Sequence, residues 1–406
     1  MPLRAKVATS VSKTAAALSR AAGRGDGSVI GGWIGLKIDP ELLSHLASGR
    51  AIALVSGTNG KTTTTRLAAA ALGVLGPVAT NSFGANMPTG HTSALAKAGA
   101  TPFAVLEVDE HYLARVIDET NPRVVALLNL SRDQLDRAKE VAMMAQMWRT
   151  ALAGHPDVAV VANADDPMVV WAARGASHIT WFSAGQRWHD DSFVCPESGD
   201  PIERANGDWW CTGCPLRRPQ AQWRVEDDGV VDPRGDWHLV KLQLPGTVNI
   251  GNAATALAVA AEFGVRPIEA LPRLTTVASI AGRYAQVDRD GRNIRLLLAK
   301  NPASWLEAFD MAEQAPTLLS INARDPDGFD TSWLYDVDFS PLHDRPVLIT
   351  GDRAYDLAVR LEVNEIPFRH VSTFEEAVQS VPPGRLEVIA NYTAFQDIRA
   401  GLDRVN

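Results

Sequence analysis

A lysine and four threonines follow a glycine turn at residues 57–65, a combination suited to gripping phosphate. The turn reads Gly57-Thr58-Asn59-Gly60-Lys61-Thr62 and lies between the apolar run "AIALVSG" and an alanine-rich stretch ending at Leu72. A strand passing through such a turn into a helix aims backbone N–H groups at an anion, and the helix dipole adds to the attraction. Lys61 would supply charge for the β- and γ-phosphates, and Thr62 a hydroxyl for Mg²⁺. A fuller phosphate-loop pattern has glycine where Val55 stands, so this is the shorter form. A tight turn with an incidental lysine would leave the clustering unexplained. The next apolar run ends "VLEVDEHYL". Alternation puts Glu107 and Asp109 on one face, with Glu110 beginning the loop. Glu107, Asp109 and Glu110 lie at its mouth, where a carboxylate can complete a Mg²⁺ shell opposite Thr62; a solvated charge run is the plainer reading. A third run, "LNLSRDQLDR", brings Asn129, Asp133, Gln134 and Asp136 to the same edge.

The three cysteines lie in one Trp- and Pro-rich stretch, about 188–223. Cys211 and Cys214 keep the C-x2-C spacing of a zinc ribbon, but Ser198 occupies the second position of the first knuckle after Cys195. Two readings stand. Either three thiolates bind Zn²⁺ with Asp200, His189 or water as fourth ligand, or a metal-free ribbon is held by Trp209, Trp210 and Trp223. The role is structural in both.

These residues need a scaffold, and the chain supplies an α/β one. "PFAVLEVDE", "RVVALLNL", "DVAVVANAD", "IRLLLAKN", "TLLSINARD", "PVLITGD" and "LEVIANY" are short apolar strands ending in polar residues, as at the ligand-facing edge of an open parallel sheet. The expected organisation is a helical segment over 1–45, an ATP-binding domain over 46–280 carrying the ribbon-like insert, and a smaller Rossmann-like domain over 281–406. A formal charge of −8 over 406 residues excludes a broad nucleic-acid-binding face. An odd cysteine count fits a reducing cytoplasm, and no apolar run reaches the ~20 residues of a membrane span. "MPLRAKVATSVSKTAAALSRAAGRG" carries cations and no acid, as a solvated helix or one touching an anionic membrane would.

GTNGKTTT, which includes Thr63, the strand-end Glu107, the "NLSRDQLDR" stretch, "NADDP" (163–167) and "GTVNIGNAATA" (246–256) together resemble the Mur ligase central domain. That resemblance implies ATP and Mg²⁺, with phosphates held by Lys61 and the turn, and Mg²⁺ by Thr62 and Glu107. It places Asn249 and Asn252 at the nucleotide base and brings Arg283 to the nucleotide. The family activates a carboxylate as an acyl phosphate and lets an amine displace phosphate. Three departures stand out: 56 residues precede Gly57, which leaves out a UDP-sugar domain; Gln134 replaces a metal-binding histidine; and "VAMMAQMWRTALAGHPD" lacks the lysine that many members carbamylate.

The departures fit a narrower branch, the ligase subunits of lipid II isoglutaminyl synthases, which "NSFGANMPTG", "AKNPASW" and "DGFDTSWLYDVDF" also resemble. This resemblance implies amidation of the D-glutamate α-carboxylate of the lipid II stem peptide, with ammonia from a GatD-like glutamine amidotransferase. The partner would supply a nucleophilic Cys and a His, and this chain an Asp to orient the His. Among Asp325, Asp327, Asp330, Asp336 and Asp338, Asp330 is favoured because it follows a Gly-containing turn and precedes Ser332-Trp333. Asp327 comes next, and an N-cap role is the structural alternative. Competing functions are a stand-alone Mur or folylpolyglutamate-type amino-acid ligase and a silent nucleotide-binding scaffold. The implied location is cytoplasmic, with a peripheral position at the inner membrane face left open.

Overall fold

A computed structural model describes residues 1–22, 27–81, 84–132, 141–278 and 284–403. The chain forms two compact units, Met1–Leu130 with Glu140–Leu244 and Val248–Ala278, and Ser131–Lys139 with Pro245–Thr247 and Ser279–Asn406.

In the first unit, β1 (Ala51–Ser56), β2 (Val78–Thr80), β3 (Phe103–Glu107), β4 (Val124–Leu127), β5 (Ala159–Asn163) and β6 (His178–Ser183) are all parallel. The hairpin β7 (Ile202–Ala205) and β8 (Asp208–Cys211) stands apart in the ribbon-like stretch. Then β9 (Trp223–Glu226), β10 (Gly229–Val231) and β11 (Trp237–Leu239) extend the main sheet, giving the order β11-β10-β9-β6-β5-β4-β1-β3-β2.

The central strands are apolar at successive positions because both faces are covered. Ile52 and Leu54 of β1 pack with Leu106 and Leu127 in one core, while Ala53 and Val55 pack with Val105, Leu67 and Leu257 in the other. The helices are α1 (Leu3–Ala21), α2 (Ser28–Ile38), α3 (Leu42–Ala47), α4 (Lys61–Leu72), α5 (Pro88–Ala98), α6 (Leu113–Thr120), α7 (Val141–Ala153), α8 (Pro167–Ala173), α9 (Val248–Glu262) and α10 (Pro267–Leu274). Ala68 and Ala71 of α4 and Ala253, Ala256 and Ala260 of α9 are buried in one core, small side chains that let the two helices approach closely. Pro88, Pro167 and Pro267 open α5, α8 and α10, where a missing N–H costs nothing.

The second unit contains β12 (Tyr284–Arg289), β13 (Arg292–Leu298), β14 (Thr317–Ser320), β15 (Val347–Thr350), β16 (Phe368–His370) and β17 (Gly384–Ala390), in the order β12-β13-β17-β14-β15-β16. Only β12 runs antiparallel to its neighbour. Helices α11 (Pro302–Met311), α12 (Ala354–Val363), α13 (Phe374–Ser380) and α14 (Tyr392–Asp403) complete this unit among the described residues. Trp305 of α11 is fully buried, with Phe309, Trp333 and Phe339 at ring-centroid distances of 5.6, 6.2 and 5.8 Å. Through Trp333, and Phe339 just beyond its end, this aromatic cluster pins the Asp-rich segment 325–338 to the core. Of the Ser332-Trp333 pair, Trp333 anchors the loop, while Ser332 is exposed and its amide donates to Asp330.

Candidate active site

The loop after β1 has a backbone that only glycine adopts easily. Gly57 sits at φ 145° and Gly60 at φ 82°. A Cβ on Gly57 would lie 2.8 Å from the Leu128 side chain, and one on Gly60 2.7 Å from Asn252 Oδ1. Both residues are therefore fixed as glycine by conformation and by space. The loop is tied to the end of β4 by one residue. The Asn129 carbonyl accepts from the Thr58 amide at 2.9 Å, its side-chain oxygen accepts from the Asn59 amide at 2.9 Å, and its Nδ2 donates to the Asn59 carbonyl at 3.1 Å. Thr62 and Thr63 occupy the first turn of α4 and are buried.

Lys61 is buried and does not extend into solvent. Its Nζ donates to the Gly57 and Thr58 carbonyls at 2.5 and 3.3 Å and pairs with Glu110 Oε2 at 3.0 Å. The 3₁₀ turn Glu110–Tyr112, capped by Asp109 at the His111 amide, turns the Glu110 side chain back toward the loop. Sequence alternation gave Glu110 no such role.

Glu107 lies level with Val55 across the β1–β3 pair, beside the entry to the glycine turn. Its main chain is clamped. The Glu107 amide donates to Asn81 Oδ1 at 2.8 Å, and its carbonyl accepts from Asn81 Nδ2 at 2.8 Å and His91 Nε2 at 2.7 Å. Among the described residues its carboxylate has no hydrogen-bond or ion-pair partner. A buried carboxylate held this way is a ready oxygen ligand for a divalent cation. Burial pushes His91 down to about 4, so the ring is neutral and its Nε2–H serves the Glu107 carbonyl. Neither Asn81 nor His91 was singled out from sequence, because their role is to hold a backbone that only the fold brings near them.

Asn252 stands beside the phosphate loop, accepting from Thr64 Oγ1 at 3.1 Å and donating to Asn249 Oδ1 at 3.0 Å. Arg283, Asp133, Gln134 and Asp136 lie outside the described residues. In the NADDP stretch, Asp166 caps α8 at the Met168 and Val169 amides and accepts from the Leu130 amide at 2.9 Å. Burial pushes its carboxyl up to about 6 against those three hydrogen bonds. Asp165 accepts from Ser183, Ala184, Gly185 and Arg218, joining β6 to the ribbon.

In the ribbon, the Cys195, Cys211 and Cys214 sulfurs lie within 4.8 Å of one another. Ser198 Oγ is 3.2 Å from Cys211 Sγ, and Cys195 Sγ is 3.6 Å from Cys214 Sγ. Burial pushes the Cys211 thiol up, but hydrogen bonds from Ser198 and the Gly213 amide outweigh it and bring it down to about 7. The donor set fits a three-thiolate Zn²⁺ site, with the Ser198 hydroxyl beside Cys211. Two expected fourth ligands are corrected. His189 is turned to the Gln186 carbonyl at 2.7 Å, and Asp200 contributes main-chain hydrogen bonds to Cys195 and Ser198; neither carries a ligand atom in the sulfur cluster. Nor do three tryptophans hold the ribbon together. Trp209 is buried with the cysteines and donates to the Ala164 carbonyl at 3.0 Å, Trp210 is exposed, and Trp223 belongs to the main sheet's other core.

The second unit sorts its five candidate acids. Asp327 accepts from the Thr393 amide at 2.8 Å and from the Thr393 hydroxyl, fastening its loop to the start of α14. Asp336 pairs with Arg132 at 3.4 Å, and Asp338 accepts from the Ser340 amide and hydroxyl. Asp325 is exposed. Asp330 is exposed as well, and its carboxylate accepts from the Ser332 amide at 2.8 Å, which holds it below the usual carboxylate range. That bond fixes the side chain without burying it.

Residues 55–260 match the Mur ligase middle domain, and residues 298–395 match the MurT ligase C-terminal domain. The chain is 30% identical to the MurT subunit of lipid II isoglutaminyl synthase (glutamine-hydrolyzing) from Staphylococcus aureus, covering 90% of this chain and 89% of that protein. It is 29% identical to the subunit of the same name from Streptococcus pneumoniae, with 92% of each chain covered. Among solved structures, a pseudomurein peptide ligase type C from Methanothermus fervidus superposes with a TM-score of 0.70 at 17% identity, over 90% of this chain and 81% of that one. MurF from Acinetobacter baumannii gives 0.63 at 16% identity, over 94% and 81%.

Proposed function

The chain belongs to the Mur ligase family, among its MurT members, and from that premise we propose that it is the ligase subunit of a glutamine-hydrolysing lipid II isoglutaminyl synthase. Its substrate is the D-glutamate α-carboxylate of the lipid II stem peptide, which it converts to D-isoglutamine in peptidoglycan synthesis. The work is done in the cytoplasm, at the inner face of the membrane where that lipid is anchored. The observation that carries the reading is the phosphate loop with its buried lysine paired to Glu110, beside a strand-end Glu107 whose main chain is clamped and whose carboxylate is left for a ligand.

The residues fit a nucleotide. Gly57 and Gly60 let the loop take a conformation and a close packing that a Cβ would forbid, and the loop leads into the N-terminus of α4, which favours an anion. ATP and Mg²⁺ supply the phosphoryl group and neutralise the charge that builds as it moves. Lys61 binds the phosphates from within the loop, and Thr62 and Glu107 provide the oxygen ligands for the metal. Asn129 keeps the loop in its binding conformation, and Asn81 and His91 keep Glu107 in place. The family resemblance assigns Asn249 and Asn252 to the nucleotide base, and Asn252 stands beside the loop, where it accepts from Thr64 Oγ1.

A carboxylate is a poor electrophile, and phosphorylation turns one of its oxygens into a leaving group. Ammonia then attacks the acyl carbon, the C–O bond to phosphate breaks, and an amide and inorganic phosphate result. Ammonia is mostly protonated at neutral pH, so a GatD-like glutaminase partner delivers it unprotonated. Asp330, exposed and oriented by Ser332, is the residue we assign to orient the partner's histidine. The ribbon holds a structural Zn²⁺ through Cys195, Cys211 and Cys214.

The test is co-expression with the partner, followed by assay of lipid II amidation with glutamine and Mg-ATP. Lys61→Ala and Glu107→Ala should each lower the amidation rate by about 10³-fold or more, while glutamine hydrolysis by the partner persists. Full amidation by Lys61→Ala would favour the scaffold reading instead.

A further inference from the structure

The helix α1 is amphipathic twice over. Ala5, Ala8 and Ser12 are buried, and Gly31 and Gly35 of α2 come against this small-residue face, where a Cβ on Gly31 would lie 2.8 Å from the Ser12 carbonyl and one on Gly35 3.3 Å from the Ser12 Cβ. That face accounts for how α1 is held. It does not account for the opposite one. At about 100° per residue, Leu3, Val7, Val11 and Leu18 fall within an arc of about 80°, and all four are exposed, Leu3 at 79% and Leu18 at 66%. Thr14 is the one polar residue inside that arc, where a solvated helix would carry more.

The cations lie where an interface would want them. On the same helical geometry Lys6, Lys13 and Arg20 line one flank of the apolar stripe and Arg4 the other, all exposed. The chain has no acid before Asp26, although its formal charge is −8. On α2, Val29, Ile30 and Trp33 are also exposed, with the Lys37 ammonium over the Trp33 ring at 5.7 Å.

We infer that α1 is a membrane-surface helix that lays Leu3, Val7, Val11 and Leu18 into the headgroup boundary of an anionic bilayer. Apolar side chains enter the acyl boundary while flanking lysines and arginines meet lipid phosphates, and α2 adds Trp33, a side chain suited to that depth. Acid-free cationic flanks select an anionic bilayer over a protein surface of mixed charge. The inference rests on the proposed function for its purpose, which is to bring the phosphate loop's own unit to a lipid-anchored substrate. It uses no residue of the nucleotide site.

The experiment is flotation of the full chain, co-expressed with its partner, on two kinds of vesicle: phosphatidylethanolamine with about one third phosphatidylglycerol, and pure phosphatidylcholine. Binding should be about tenfold or more tighter to the anionic vesicles, should fall with added salt, and should drop about tenfold in both Val7→Asp/Val11→Asp and Lys6→Glu/Lys13→Glu. Both variants change exposed positions and should amidate detergent-solubilised lipid II at the wild-type rate. Equal binding of wild type and variants, or none by wild type, overturns the inference. So does a change of oligomeric state or loss of the co-purifying partner in Val7→Asp/Val11→Asp, since the stripe would then cover protein. Vesicle binding without amidation would sink the proposed function and spare this inference; amidation in detergent without vesicle binding would do the reverse.

Discussion

Replacing Glu110 by glutamine should make the first unit lean on nucleotide for its stability. Glu110 Oε2 lies 3.0 Å from Lys61 Nζ, and both side chains are almost wholly buried. At an effective dielectric of 20 the attraction at that distance is about 5 kcal/mol before desolvation. Removing one partner of a buried pair generally costs about 3–5 kcal/mol. Here glutamine keeps a hydrogen-bond acceptor, and the Gly57 and Thr58 carbonyls still hold the ammonium. The expected loss is therefore about 2–3 kcal/mol without nucleotide, or about 5–10 °C in melting temperature. Bound phosphates would restore the missing negative charge, so with saturating Mg-ADP the deficit should shrink to less than about 1 kcal/mol. Scanning calorimetry of wild type and Glu110→Gln, with and without Mg-ADP, reads both quantities. A Glu110→Gln protein that melts with wild type, or whose deficit is equally large with nucleotide, would refute the argument that Lys61 exchanges Glu110 for phosphate as its counter-charge.

Other outcomes follow from the same structure. Burial lowers His91 to about 4 from an ordinary 6.5, so the unfolded chain binds a proton that the folded chain refuses between those values. Stability is full above pH 6.5 and falls as pH drops toward 4, by about 3 kcal/mol; a wild-type minus His91→Gln difference in denaturant midpoint that stays flat over this range would contradict it. Ser198→Cys should complete a four-thiolate site and retain Zn²⁺ against a chelator concentration at least about tenfold higher than wild type tolerates, as read by metal analysis. Asp330→Asn should cut glutamine-dependent amidation by about 10³-fold while leaving ammonia-dependent amidation and melting temperature unchanged. Asp327→Asn should instead lower stability by about 1–2 kcal/mol, because it loosens the tie to Thr393.

The parts of the fold that were legible in the sequence are those whose apolar runs are buried on both faces. β1, β3, β4, β5, β13, β14, β15 and β17 each read as a short hydrophobic stretch with a polar end. The three-residue strands β2, β10, β11 and β16 did not, because they are held by neighbouring strands and carry no pattern of their own. The glycine turn was legible because its conformation demands particular residue types. The Glu110 partnership was not, since strand alternation stops at Glu107 and a 3₁₀ turn then sets the direction of the side chain. His189 and Asp200 looked like ligands by proximity in sequence, but the His189 ring is bonded to the Gln186 carbonyl and the Asp200 carboxylate lies against Gly213, outside the sulfur cluster.

The central claim is that the substrate's own carboxylate is phosphorylated and then captured by ammonia. Lipid II labelled with ¹⁸O in the D-glutamate α-carboxylate, amidated by the reconstituted complex, tests it most directly. The account predicts one ¹⁸O in the released inorganic phosphate for each amide formed. Amidation that leaves the phosphate unlabelled would contradict it.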